Sequence, residues 1–435
     1  MRFVQYGTVP RVPLMMHLKQ STASVGFLMP PAKVALISFL FSAATASATM
    51  VMPFFVYNQL GRGAFLSGVF AGTQALGYTV LSLGSANYVA RAKNGLSWGV
   101  IGIFGYMVLM CAMPLFRSPW VCGTLFCVAC TVSALAWPCF HSWAGAAHAL
   151  NERARYMGRV NVGWSTGSAA GPFLAGPLYE ADYRLPYLFI AVLCLVSLYL
   201  ILRVPSETAY FGKRTRETAS MNAAHEQASE SFLWCAWCAT FTAHVCIGAV
   251  RAVFPKRLDD IVASGSLRVL FESDMSSWLN SLAATRFSWL AVSLGMATAL
   301  MFLVLGRSGW WHHRFSVLVI AQLVAGLGMW TLGTTHSLVL MMIAFAILGA
   351  NLGIAFFSSV YYGMADPARK HGRSAINEGV VGAGGILGAF GFAMGGARFG
   401  LDAPYHGMPV LIVLIILLQV FLIRKGKASR HLKPG

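Results

Sequence analysis

The chain has 435 residues, of which 57% are hydrophobic and only 11% charged, with a mean hydropathy of +0.65. This composition excludes an ordinary water-soluble domain. A net charge of +18 would suit nucleic acid, but the basic residues are dispersed between apolar runs rather than gathered in one patch, so no nucleic-acid partner is expected.

Apolar runs long enough to cross about 30 Å of hydrocarbon, roughly 20 residues each, fall near 33–57, 64–86, 97–115, 120–146, 159–179, 185–203, 231–253, 287–305, 315–333, 338–363, 374–397 and 406–423. They make twelve spans, six per half, and an all-α integral membrane protein. When the loops are assigned to alternate sides, most of the 32 lysines and arginines share the side of both termini. The positive-inside rule puts that side in the cytoplasm, at an inner or plasma membrane. The expected organisation is a cytoplasmic tail over 1–32, a six-helix half over 33–203, a cytoplasmic linker over 204–230, a second six-helix half over 231–423 and a basic tail over 424–435.

In chain order, the first 32 residues carry Pro10, Pro13, Pro30 and Pro31 and lack the apolar core of a cleaved signal peptide. Span 1 sets Ser38, Ser42, Thr45 and Thr49 on one face, a stripe that either lines a cavity or bonds back to its own carbonyls. Span 4 aligns Trp137, His141 and His148, with a kink expected at Pro138. The pairs Cys127/Cys130 and Cys235/Cys238 have metal-ligand spacing, but no loop adds further ligands. They read as small packing residues, and with the cysteines mostly inside apolar runs no disulfide framework or metal is expected.

Residues 151–178 combine a charged entrance with Gly163, Gly167 and Gly171 at four-residue intervals and Pro172 directly after them. One face of this helix is nearly bare backbone, suited to close approach by a neighbour in lipid, and Pro172 is expected to bend it. Span 7 places Trp234, Trp237, Phe241 and His244 on one face. The segment 255–286 that follows is expected to form a short helix over a cavity mouth. Span 10 sets Asn351, Ser358 and Tyr362 together. Span 11 carries its own glycine stripe, Gly384, Gly388, Gly391 and Gly395, and Glu378, the one acid clearly inside a span.

The halves repeat. Arg155-Tyr-Met-Gly158-Arg159 returns as Arg369-Lys-His-Gly372-Arg373, and the same offset sets Gly171 opposite Gly385 and Trp164 opposite Glu378. A duplication this long in a hydrophobic chain points to a transporter of two similar halves. Gly167-Ser-Ala-Ala-Gly171-Pro172-Phe-Leu-Ala175-Gly176 resembles the fifth-helix signature of the major facilitator superfamily, Gly-x-x-x-Gly-Pro-x-x-Gly-Gly, with Ala175 replacing a glycine. The superfamily's acidic loop clasp between spans 2 and 3 is degraded here, with Tyr88 at the acid's place, and the matching loop of the second half reads Gly306-Arg307-Ser-Gly309-Trp-Trp-His-His-Arg314.

The resemblance implies two six-helix bundles around a central cavity bordered by helices 1, 4, 7 and 10. Ser42, Thr45, Trp137, His141, Trp237, His244, Asn351 and Tyr362 are the candidate cavity residues. The arginine pairs Arg155/Arg159 and Arg369/Arg373 are candidate gate anchors, or else simple orientation signals. Gly163, Gly167, Gly171, Pro172 and Gly176 serve helix packing. Glu378 is a candidate proton carrier, or one side of a static ion pair. No phosphate-binding loop, nucleophile elbow or His-Glu-x-x-His helix is present, so neither an enzyme nor a cofactor is expected, and a proton or other ion gradient must supply the energy. The expected function is alternating-access transport of a small organic molecule by a monomer, with the fifth-helix signature favouring export. Uptake of a small organic acid, or a non-transporting or lipid-moving role on the same fold, are the alternatives. The scarcity of membrane acids beside His141, His148 and His244 favours neutral or anionic cargo.

Overall fold

The computed structural model describes residues 31–137, except 92–94, and residues 139–140, 150–203, 223–268, 283–363 and 370–431. These are all-helical: α1 Pro31–Asn58, α2 Ala64–Arg91, α3 Gly95–Ala112, α4 Pro119–Ser133, α5 Leu150–Ala181, α6 Leu185–Leu202, α7 Ala223–Ala252, α8 Phe254–Ala263, α9 Ala283–Arg307, α10 Phe315–Thr334, α11 Leu338–Gly363, α12 Lys370–Ile386, α13 Phe392–Phe399 and α14 Ala403–His431. Spans 1 to 7 are α1 to α7, spans 8 to 10 are α9 to α11, α12 and α13 together form span 11, and α14 is span 12.

Proline marks several starts, at Pro119 of α4, Pro186 of α6 and Pro255 of α8, where its missing N–H would have had no partner anyway. Between α5 and α6 the chain turns on Asp182, whose carboxylate accepts from the Arg184 N–H at 2.7 Å. Gly400, with φ 93°, closes α13 in a conformation that glycine alone adopts readily.

Of the two expected proline kinks, the one at Pro138 lies outside the described residues. α5 runs unbroken through Pro172 and Pro177. In the second half the corresponding rod is the interrupted one, by a π turn at Leu387–Gly391. Span 4 breaks one turn before Pro138: α4 ends at Ser133, and Ala134 and Leu135 donate to the carbonyls of Thr131 and Val132, three residues back. A proline four residues on removes from the sequence the N–H that the Ala134 carbonyl would accept in a helix, which favours a break in that turn.

Small residues set the helix contacts. A methyl group on Gly163, Gly167 or Gly171 would collide with the backbone carbonyls of Ala35, Phe39 and Ala43, so α5 lies directly on α1. In the second half Gly384 and Gly388 meet the carbonyls of Phe241 and Val245, so α12 and its π turn lie on α7. Such backbone proximity is what association in lipid requires, where dispersion replaces water expulsion as the driving force. The halves meet along two seams, α5 on α9 and α2 on α12. Gly176 abuts Ala284 and Ser288 at the first seam, and Gly382 abuts Thr79 at the second. The helices away from the seams expose apolar rows outward, such as Leu188, Val192 and Leu195 on α6 and Val410, Leu414 and Leu417 on α14, as a lipid-facing surface demands.

Inside the second half lies a buried amide pair. The Gln322 side-chain amide donates to Gln419 Oε1 at 3.0 Å, Gln419 donates to the Cys235 carbonyl at 3.0 Å, and Thr242 donates to Gln322 Oε1 at 3.1 Å. This ties α7, α10 and α14 together with every partner satisfied.

Candidate functional site

Ten of the described helical segments are long and apolar enough to cross a membrane. The two spans outside that set are α4, cut short at Ser133, and α5, rich in glycine, serine and threonine. At the end of the bundle away from the termini, the halves are sealed. Tyr57 and Ser67 donate to the Ala252 carbonyl at 3.3 and 3.0 Å, and the Thr285 N–H donates to Glu180 at 2.8 Å. Phe54 packs edge-on against Phe287, and Lys256 of α8 sits over the Tyr57 ring at 5.7 Å. The expected short helix after span 7 is therefore present as α8, and it reaches across to the first half. Arg257 anchors it, bonding Asp402 and donating to the Gly333 carbonyl at 2.9 Å.

The candidate cavity residues separate into three groups. Ser42, Thr45 and Trp137 belong to the first half. Ser42 is buried against Gly167, Thr45 donates back to the Ser42 carbonyl at 3.1 Å, and Trp137 packs on Phe41 and Phe140. Of the span 1 hydroxyl stripe, Thr45 and Thr49 bond within their own helix, while Ser38 crosses to the Val160 carbonyl of α5.

Trp237 and Tyr362 form the second group, in an aromatic cluster with Trp311 at the end of the bundle that holds the start of α12. The Tyr362 hydroxyl accepts from the His313 N–H at 2.7 Å, Trp311 Nε1 donates to the carbonyls of Leu305 and Ser308, and His312 stacks on Tyr361 at 4.6 Å. The loop between α9 and α10 is thus fastened by rings where the superfamily pattern would use charge. Tyr362 holds this loop, eleven residues and so about 16 Å along α11 from Asn351, and belongs to this aromatic cluster.

The third group is central. His244 is half-buried, its Nδ1 is 2.8 Å from the Thr240 carbonyl, and its ring lies 6.4 Å from Phe356 of α11. Phe356 meets Trp164 at 5.7 Å, and Trp164 meets Phe302 at 5.9 Å, so an aromatic wall bridges the halves. Asn351 is buried, with its Oδ1 lacking a hydrogen-bond partner. Glu378 is half-buried on α12, one turn before Gly382, which abuts Thr79 of α2 in the other half. Among the described residues no basic group pairs with it. Beside it an apolar cleft of about 440 Å³ opens between Leu83, Phe241, Ile376, Gly379, Val380 and Ala383. A larger apolar hollow of about 800 Å³ lies within the first half between α2 and α4, away from both seams.

Of the arginine pairs, Arg159 is half-buried and Arg373 buried near the end of α11. His141, His148, Arg369, Pro138, the residues before 31 and residues 204–222 lie outside the described residues, as does the side chain of Arg155. All nine cysteines are free thiols. Sequence reasoning missed Phe302, Phe356 and Arg251. The aromatics carry no signal beyond hydrophobicity. Arg251, however, follows His244 by seven residues, two helical turns, and that spacing placed it on the same face.

A bacterial homologue of the human lysosomal transporter Spinster, in an inward-facing and occupied conformation, superposes with a TM-score of 0.67 at 15% identity, over 91% of this chain and 96% of that one. A POT family transporter in complex with a thioalcohol-conjugated peptide gives 0.71 at 11% identity, over 91% and 96%. The nucleoside transporter NupG gives 0.61 at 12% identity, over 90% and 98%. No curated protein sequence matches the chain. The sequence profile of the Major Facilitator Superfamily matches residues 34–396. With that span of profile, the twelve-helix architecture and the seam between two halves, the chain belongs to the Major Facilitator Superfamily and is a multi-pass membrane protein, a non-enzymatic secondary transporter of small molecules.

Proposed function

We propose that the protein is a proton-linked exporter of a small organic molecule, acting as a monomer with both termini in the cytoplasm. Glu378 carries this reading. It stands half-buried at the seam, on the stretch of α12 that Gly382 lays against α2 of the other half, and has no basic partner among the described residues, so the static ion pair has no support there. A carboxylate at a seam changes its surroundings when the halves rock, which is what a group that loads and releases a proton requires. The sealed end of the bundle then faces outward, and the conformation is one closed to the exterior.

His244 and Asn351, with the wall of Trp164, Phe302 and Phe356, are proposed to line the cargo site, and Ser42, Thr45 and Trp137 to support it from the first half. Arg155, Arg159, Arg369 and Arg373 are proposed as anchors of the cytoplasmic gate. The deciding experiment is Glu378→Gln in proteoliposomes with an imposed pH gradient. Accumulation is expected to collapse while exchange of cargo across the membrane survives. A variant that still accumulates cargo in proportion to the gradient rules out this role for Glu378.

A further inference from the structure

Arg251 stands on the last turn of α7 and is exposed, although Ala249, Val250, Ala252 and Val253 around it are fully buried. Outer surface does not account for this. α7 packs against α10, α11, α12 and α14 of its own half and reaches α1 and α2 of the other, so the open space it borders is the seam between the halves. Phe241, His244 and Gly248, which precede it on the same face of α7, are likewise only half-buried, so one continuous accessible stripe of the helix runs along that seam. Next to it the Ala252 carbonyl is gripped by Tyr57 and Ser67 of the first half, so Arg251 lies just beneath the seal. His244 shares its face about 10.5 Å along the helix.

The acids described at this end of the molecule have other partners. Glu180 accepts from Thr285, Asp402 pairs with Arg257, and Asp259 and Asp260 pair with Lys256. Among the described residues none pairs with Arg251. A cation inside the bundle with no counter-ion among the described residues is costly to keep, and an anion arriving as cargo would relieve that cost.

We propose that Arg251 anchors the anionic head group of the cargo, and that the protein moves amphipathic organic anions whose apolar body lies along His244, Phe356 and Trp164. The inference rests on reading the seam as the cargo site, but it does not depend on proton coupling or on direction. The guanidinium offers a forked, permanently charged donor set matched to carboxylate, sulfonate or phosphate, and the rings supply a flat apolar wall for the remainder.

The test is equilibrium binding to the purified full chain in detergent, followed by tryptophan fluorescence and by the shift in melting midpoint. Three probes of one shape are compared: 1-naphthoate, its uncharged amide and 1-naphthylmethylammonium. The wild type is expected to bind the carboxylate best. Arg251→Gln is expected to weaken carboxylate binding roughly 10- to 100-fold, the loss of one charge-assisted hydrogen-bonding group, and to leave the amide unchanged, while Arg251→Lys retains most of the preference. An unaltered carboxylate affinity in folded Arg251→Gln, a preference for the ammonium, or no binding of the carboxylate overturns the proposal. Should Arg251→Gln fail to fold, the wild-type ranking and Arg251→Lys decide. Because no gradient is applied, failure of the proton-linked reading leaves this result readable, and loss of the anion preference leaves proton coupling standing.

Discussion

α5 and α12 hold equivalent places in the two halves, and both lay a glycine stripe on the first helix of their own half while crossing to the other half at a seam. Their chemistry diverges at one pair of positions. Trp164 meets Phe302 and Phe356 across the seam, whereas its repeat partner Glu378 is an acid on the stretch of α12 that lies against α2. Backbone packing follows the duplication because two helices approach closely only where side chains are small, a constraint both copies inherit. Side chains that face the space between the halves are free of that constraint, so one copy offers an aromatic platform and the other a titratable acid. Symmetry of the scaffold is thus compatible with a single coupling group.

The strongest way to break the equivalence is at Gly171 and Gly385. A methyl group at Gly171 collides with the Ala43 carbonyl, but at Gly385 the nearest atom is the Ala75 Cβ at 3.6 Å. Gly171→Ala is expected to destabilise by about 1–3 kcal/mol through overpacking. Gly385→Ala is expected to be neutral or to gain up to about 1 kcal/mol of helix propensity. Melting midpoints of the two variants check this, and equal losses would mean that the stripes pack alike.

A smaller effect sharpens the contrast inside the halves. Gln322 falls opposite Val108 in the repeat, so the amide pair is a device of the second half alone. Gln419→Leu removes a donor to the Cys235 carbonyl and one acceptor of the Gln322 amide, which keeps the Leu318 carbonyl and Thr242, at about 1–3 kcal/mol less the gain from apolar burial. Gln322→Leu with Gln419→Leu is expected to recover much of the loss, and a double-mutant cycle on unfolding measures the coupling.

The smallest effect concerns the loop after α9. Burial lowers the His312 imidazole below its ordinary range. Its stabilising share is therefore present above about pH 6.5 and is lost as the pH falls through the lowered value. The wild type is expected to lose slightly more stability between pH 7 and pH 5 than His312→Phe, which keeps a ring for Tyr361 without a titrating group. Identical pH profiles would show that the stack does not respond to protonation.

The sequence by itself determined where the helices run, that the halves repeat and which helices carry close-packing stripes. These follow from local rules: hydrocarbon thickness fixes the length of an apolar run, each helix satisfies its own backbone, and glycine at four-residue spacing means contact whatever the partner. Glu378 was legible for the same reason, since an acid inside a span is conspicuous in any orientation. What only the tertiary structure decided was the rotation of each helix about its axis. The polar face of α11 that carries Tyr362 turned toward α7 and the α9–α10 loop, the unremarkable Phe356 turned to the seam, and Arg251, near the end of span 7, came to lie beneath the seal. Rotation is set by the fit of ridges on one helix against bare backbone on the next, a property of pairs of helices that no single helix encodes.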